Sequence, residues 1–452
     1  MAAICLATGG AIRVLRRLPR FVFLATLAGA AGMLFVFAST PDQSFNLVGR
    51  TLALDATTRA FLLPAIGITA ALALLSPLTF LRAGDLPASV IANSLGAFLF
   101  WSLAPFILAI ALDSFPLAVA FWALGLLVLI FLAQTRRIDR VGGAAHFLFL
   151  TILATASLWL ANRLLELYPL TPENLDLLRG AVFFLIFGSG VLLAVVPLNL
   201  WLGTFADEMP LLGIAFLLGV GQSVGFWLIA QLLTRTPWLV EKSPVLNAFF
   251  VIGVLSVIGG AVIALAERRD HRFLAALALL SLGDVLIGLG LGSRVTFAGA
   301  GMALLNRAFG IALLSGGLCF VRYHPERRWQ TIGISAILAG GGALCALPLT
   351  LGAVARAAIY REIPDPNIVL ALYAANAAGL FALMRFIAPM LKALSGFAPQ
   401  IGADAQAEYK IIPVWGTVIV MILFGAIVLG GLAPQIIIEP LMAVASKMEF
   451  LR

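Results

Sequence analysis

Apolar stretches of about 20 residues recur from Phe21 to Pro434, and nearly all the charge sits in short segments between them. That length matches what a helix needs to cross a hydrocarbon core, at 1.5 Å rise per residue. With 62% hydrophobic and 11% charged residues over 452 positions, a soluble core could not hide the apolar surface. A soluble chain carries roughly a quarter charged residues. No alternation of period two runs over strand-length segments, which excludes an outer-membrane barrel. The expected fold is an all-α polytopic membrane protein. Its thirteen spans fall near 21–39, 60–81, 88–112, 115–134, 144–165, 178–202, 211–234, 247–267, 272–292, 296–321, 331–356, 367–389 and 412–435.

The net charge of +8 is explained by where the arginines lie. The N-terminus is expected to be cytoplasmic, since that side then receives Arg13, Arg16, Arg17, Arg20, Arg82, Arg136, Arg137 and Arg140. The same side receives Arg268, Arg269, Arg272, Arg322, Arg327, Arg328, Lys392 and Lys410. Cytoplasmic loops of membrane proteins carry such an excess, so the basic balance calls for a lipid bilayer as partner and not for nucleic acid. The organism class implied is bacterial, with the chain in the cytoplasmic (inner) membrane. Cys5, Cys319 and Cys345 sit in apolar runs without metal-ligand spacing and read as small buried hydrophobes. His146, His271 and His324 lie near helix ends and form no cluster. No cleavable signal is evident, because Ser39, Thr40 and Pro41 make a poor cleavage site after a long first helix.

The loops are too short for a second domain, so residues 1–452 read as one transmembrane domain. Residues 1–20 form a basic arm, and 412–452 hold the C-terminal helices. Gly340, Gly341 and Gly342 lie within an apolar run, where small residues let helices approach closely. Pro197 and Pro348 interrupt the sixth and eleventh spans. Proline lacks the N–H and clashes with the preceding turn, so both helices are expected to break or kink. Discontinuous helices in corresponding parts of two repeats point to an ion pathway.

Val196-Pro197-Leu198-Asn199-Leu200-Trp201-Leu202, then Asp207-Glu208-Met209-Pro210, resembles the antiporter-like membrane subunits of respiratory complex I. Those subunits are related to Mrp-type cation/proton antiporters and to the membrane arm of energy-converting hydrogenases. The family pattern is a lysine-bearing broken helix, then proline, histidine, tryptophan, leucine and an acidic-alanine-proline turn. Pro197, Trp201, Leu202, Glu208 and Pro210 keep it; Asn199 stands where histidine is usual. Further matches follow in order: Leu54-Asp55-Ala56 before the second span, Glu267 to Arg272, Leu305-Asn306-Arg307-Ala308, and Leu347-Pro348 with Gly352 and Arg356. The resemblance covers roughly residues 50–390. It implies two pseudo-symmetric five-helix repeats, with broken helices near Pro197 and Pro348. Of the family's fourteen helices, the chain aligns as though the first were absent.

The resemblance also shows where the chain departs. The family's conduction rests on ionisable residues buried in the membrane, which are costly there and persist where they relay charge. Its fifth-helix glutamate aligns with Ala123, its first broken-helix lysine with Leu192, the next helix's lysine with Ser223 beside Gln222, and its tenth-helix histidine with Ser281. Asp284 lies one turn beyond. Arg307 stands at a histidine position, and Arg356 at the lysine or glutamate of the second broken helix. Gln222, Ser223, Ser281, Asp284, Arg307 and Arg356 are the proton-path candidates. Arginine is effectively always protonated and makes a poor shuttle. Asp284 is expected to pair with Arg307, as a structural lock or as a vestigial ion site. Arg356 is expected to snorkel to the outer interface or to take a buried role.

The resemblance implies an antiporter-like subunit of a complex I-like or membrane-bound hydrogenase-like respiratory assembly, with other membrane subunits as partners. In such an assembly this chain would be structural or only partly competent in proton translocation. It would be a non-catalytic subunit; no cofactor motif or metal-ligand set is present, so none is assigned. A membrane subunit of an inorganic-carbon uptake complex and a stand-alone secondary ion or solute transporter are the alternatives. The loss of buried charge weighs against the transporter.

Overall fold

In a computed structural model, which describes residues 1–15, 19–40, 43–47, 50–79, 94–134, 142–395 and 411–451, the chain is a polytopic helical bundle. Arg16, Arg17, Arg82, Arg136, Arg137, Arg140, Lys410 and the start of the predicted third span lie outside the described residues.

The helices are α1 (Ala2–Val14), α2 (Pro19–Ser39), α3 (Ala56–Leu75), α4 (Leu95–Ala111), α5 (Phe115–Gln134) and α6 (Gly142–Leu167). Then follow α7 (Leu175–Leu193), α8 (Leu200–Glu208), α9 (Leu211–Arg235), α10 (Pro237–Lys242), α11 (Val245–Ala266) and α12 (Asp270–Gly290). The last are α13 (Arg294–Tyr323), α14 (Arg327–Leu344), α15 (Leu351–Tyr360), α16 (Pro366–Ser395), α17 (Ile411–Leu432) and α18 (Gln435–Ala445). Among the described residues, eleven helices are long and apolar enough to cross a membrane. They correspond to eleven of the predicted spans. The other two are α4 and the interrupted pair α14/α15. Between α2 and α3 a short antiparallel hairpin pairs β1 (Gln43–Leu47) with β2 (Arg50–Leu54), in the register Gln43 opposite Leu54. Asp55 then starts α3 as its N-cap, its carboxylate accepting from the Thr58 amide at 2.8 Å, which satisfies one of the free donors of the first turn.

Within the expected basic arm, Ala2–Val14 is a helix running antiparallel to α2. Cys5 Sγ meets Met33 Sδ at 3.0 Å, and a Cβ on Gly29 would lie 2.3 Å from Thr8 Oγ1. The Met1 end of α1 therefore lies toward the Ser39 end of α2, away from the arginines at the other end. At about 20 Å long, α1 falls short of a full span, so hydropathy did not show it. It stands where the resemblance implies one further helix.

α9, α12 and α13 run through the centre and are buried almost throughout. Around them, glycines set the spacing. A Cβ on Gly340 would sit 2.6 Å from the Gly310 carbonyl oxygen, so α14 and α13 touch backbone to backbone there, as small residues allow. The basic turns converge on one face. Asp207 accepts from Arg269 and Arg272 at 2.9 and 2.7 Å, Arg322 lies 3.7 Å from Asp270, and Arg385 donates to the Glu267 carbonyl at 3.2 Å. The opposite face holds the Arg235–Asp113 pair at 2.5 Å and Lys242 over the Tyr168 ring.

Candidate functional site

α7 stops at Leu193 because Ala194 turns into the left-handed region, φ 55°, and Pro197 follows after a cis peptide. A broken helix strands its last carbonyls, and in a membrane each must find a donor inside the protein. Side chains from elsewhere supply them. Trp201 donates from Nε1 to the Val191 oxygen at 3.0 Å, and Gln222 from Nε2 to the Leu193 oxygen at 2.6 Å. The Trp201 ring, wholly buried, stacks on Phe147 with centroids 4.2 Å apart. The Val196 amide donates to Ser256 Oγ at 3.2 Å. Asn199, in the histidine position, begins α8 but caps it with no side-chain bond. Glu208 accepts from the amides of Gly143 and Ala144, both at 2.8 Å, and so closes the N-terminus of α6. A carboxylate there satisfies free donors and meets the positive end of the helix dipole. Pro210 begins α9, its carbonyl accepting from Gly213 and Ile214.

α9 contains a π turn over Leu217–Gly221. Such turns loosen the regular ladder and leave carbonyls for outside donors. Trp122 donates from Nε1 to the Gly221 oxygen at 2.9 Å. Arg307, on α13 and fully buried, donates from its two terminal nitrogens to the Leu218 oxygen and to Gln222 Oε1. Its Nε donates to the Ala278 oxygen of α12 at 3.2 Å. Gln222 thus links the end of α7 to the guanidinium. Arg307 forms no ion pair among the described residues. Ser223 and Ser281 spend their hydroxyls on their own helices, bonding the Gly219 oxygen at 2.6 Å and the Ala278 oxygen at 3.0 Å, as such residues commonly do within helices. Ser223 also borders a cavity of about 40 Å³ beneath α3 and Leu441. Ala123 and Leu192 are buried and carry no titratable group.

The second break repeats the plan. α14 ends at Leu344, Ala346 takes φ 59° and Leu349 φ 68°, with Pro348 between them. Asn306 Nδ2 donates to the Ala343 oxygen at 2.9 Å, and a terminal nitrogen of Arg356 to the Leu344 oxygen at 2.5 Å. Gly352 permits this crossing, since a Cβ there would lie 2.4 Å from the Ala343 oxygen. Arg356 Nε then donates to Asp284 Oδ2 at 2.6 Å, and Tyr360 Oη to Asp284 Oδ1 at 2.5 Å. Asn376 Nδ2 reaches Tyr360 Oη at 3.1 Å and the Leu372 oxygen at 2.9 Å.

Two expectations are corrected here. Asp284 pairs with Arg356, not with Arg307, and Arg356 is buried, not snorkelling, with 4% of its side chain exposed. The reason is depth along α12. Arg307 meets Ala278, six residues before Asp284, which is about 9 Å along the axis at 1.5 Å per residue. The candidates therefore form two separate clusters: Gln222 with Arg307, and Asp284 with Arg356. Tyr360 and Asn376 escaped the sequence reading. Tyr360 follows Arg356 by four residues, on one face of α15. Asn376 is a polar residue inside an apolar helix, and that was the available signal.

The family model described as "NADH:quinone oxidoreductase/Mrp antiporter, TM" matches residues 111–359, more than half of the chain. The NADH-quinone oxidoreductase subunit N of Desulforudis audaxviator (strain MP104C) is 28% identical over 206 residues, 45% of this chain and 39% of that protein. The chain thus spans well under half the length of that curated relative. In fold it is similar to a chain in the structure of the Mrp complex from Dietzia sp. DQ12-45-1b, with a TM-score of 0.77, 15% identity, and 99% and 96% of the two chains covered. It is also similar to a chain of the membrane-bound sulfane sulfur reductase, an archaeal respiratory membrane complex, with a TM-score of 0.75, 16% identity, and 99% and 96% covered.

Proposed function

This chain belongs to the NADH:quinone oxidoreductase/Mrp antiporter transmembrane family, and we propose that it is an antiporter-like membrane subunit of a multi-subunit complex I-like or membrane-bound hydrogenase-like assembly, structural or only partly competent in proton translocation. Its partners are other membrane subunits. It contributes no cofactor chemistry of its own. The bacterial cytoplasmic membrane holds it with the arginine-rich turns inside, in keeping with the positive-inside rule. Since α1 runs antiparallel to α2, its Met1 end then points away from the cytoplasmic side, against the expectation of a cytoplasmic N-terminus.

The observation that carries this reading is Arg307. At the position of a relay histidine stands a permanent cation, locked onto two backbone carbonyls and Gln222. A relay needs groups that gain and lose protons, or waters with two or more polar partners each. Arg307 offers neither, and Ala123 and Leu192 lie among apolar neighbours such as Leu193 and Val195. Asp284 is the remaining buried carboxylate of the path candidates, and Arg356 and Tyr360 hold both its oxygens.

Affinity purification of the tagged chain from its native membrane, with identification of co-purifying subunits, tests the assembly. A chain isolated alone from intact membranes would overturn that part. Asp284→Asn tests the chemistry. Reduced assembly with unchanged proton stoichiometry in the surviving complexes is expected. Loss of pumping in a fully assembled complex would show a live site and sink the structural reading.

A further inference from the structure

The face opposite the arginine-rich turns carries a recess of about 710 Å³ where the ends of α13, α15 and α16 meet. Val354 and Val369 form its apolar wall, and Tyr360 and Tyr373 stand edge to face beside it, centroids 5.3 Å apart. Arg361 and Glu362 rim it, adjacent in sequence and both exposed. Neither side chain has an ion-pair partner among the described residues. α15 ends at Tyr360, α13 begins at Arg294 and α16 at Pro366, so the recess lies where three membrane helices begin or end. Tyrosines and charged side chains collect at that depth because lipid headgroups do.

We infer that this recess is a site for one zwitterionic aminophospholipid, with the phosphate on Arg361, the primary ammonium on Glu362, and the glycerol and upper acyl carbons on the valine wall. The charge pattern selects the class. A purely anionic headgroup would leave Glu362 facing like charge, and a lone cation would face Arg361. Unpaired opposite charges side by side match a ligand that carries both signs. A primary ammonium can donate hydrogen bonds to the carboxylate and lie against the Tyr373 ring; a quaternary ammonium has no N–H to donate. Occupancy would also cover Tyr360, whose hydroxyl donates to Asp284. The inference stands on the recess itself and does not require the proposed role of the chain.

Full-length protein is reconstituted in nanodiscs of phosphatidylethanolamine, phosphatidylcholine or phosphatidylglycerol, and the lipid retained after transfer to detergent is read by native mass spectrometry. Phosphatidylethanolamine is expected to be retained in preference to both others. Glu362→Gln is expected to cut that preference over phosphatidylcholine by about tenfold, the scale of one charge-assisted hydrogen bond. Arg361→Gln should weaken retention of all three lipids, while Arg361→Lys keeps the selectivity. Thermal unfolding in lipid-free detergent should not distinguish these variants from the parent, which separates binding from folding. Equal retention of phosphatidylglycerol, or variants indistinguishable from the parent in retention, would overturn the site. So would a photo-crosslinker at Val369 that captures protein, not lipid, in intact membranes.

Discussion

The two helix breaks share a backbone plan and differ in their chemistry. Both end in a left-handed alanine, Ala194 or Ala346, followed by a proline, and both hand their last carbonyls to side chains from other helices. At the second break the Asn306 amide takes the Ala343 carbonyl, but the Leu344 carbonyl goes to a cation, Arg356, which Asp284 neutralises at 2.6 Å. At the first, an amide makes the capture and passes the contact to Arg307, which has carbonyls but no acid. A stranded carbonyl in hydrocarbon must be satisfied whether or not a proton ever moves. The capture therefore survives the loss of relay residues, and the geometry of a conduction fold does not by itself certify conduction.

The contrast breaks most visibly at the second site. Removing one partner of a buried ion pair leaves a bare charge, which costs about 3–5 kcal/mol, whereas replacing both with apolar groups of similar size is often neutral. Asp284→Ala or Arg356→Met alone should therefore abolish a folded, assembled subunit or lower its unfolding transition steeply. The double variant Asp284→Leu with Arg356→Met should recover most of that loss. A double-mutant cycle by thermal unfolding in a fixed detergent measures the coupling; additive effects would show that the pair is not energetically coupled.

The first site should respond more mildly. Arg307→Met leaves no orphan acid, only the freed acceptors of Leu218, Ala278 and Gln222, at about 1–3 kcal/mol for a buried group left unpaired. The same unfolding assay should rank it below either single change at the Asp284–Arg356 pair. If Arg307→Met proves the more damaging, an acid compensates Arg307 after all and the contrast between the breaks fails.

The smallest expected effect lies outside the membrane, at the Asp55 cap. Burial alone would raise the Asp55 carboxyl, but donors from Thr57 and Thr58 outweigh it and hold it below the usual carboxylate range. A lowered folded-state pKa gives stability that is present above the unfolded value, about 3.9, and lost as pH falls through the folded one. Asp55→Ala should cost about 1 kcal/mol near neutrality. The difference from the parent should shrink as unfolding is measured below about pH 4. A gap that persists unchanged in acid would mean the cap does not act through its charge.

Spans, breaks and the basic face were legible in the residues because each depends on local quantities: hydropathy over about 20 positions, proline in an apolar run, and arginines in alternate loops. Asp55, Glu208 and the glycines in the close helix contacts were also visible as motif or composition, although Glu208's role as a cap for α6 was not. The Asp284 pairing, the π turn in α9, the cluster with Tyr360 and Asn376, and the short antiparallel α1 came only from the tertiary structure. The physical reason is rotation and depth. Hydropathy locates a helix along the membrane normal to within a turn or so, yet a partner is decided by which face turns inward and by shifts of a few ångströms between neighbours. By sequence, Arg307 is expected at Asp284 and Arg356 is expected to snorkel or to take a buried role; about 9 Å of rise along α12 separates the Ala278 carbonyl that Arg307 meets from the carboxylate that Arg356 meets.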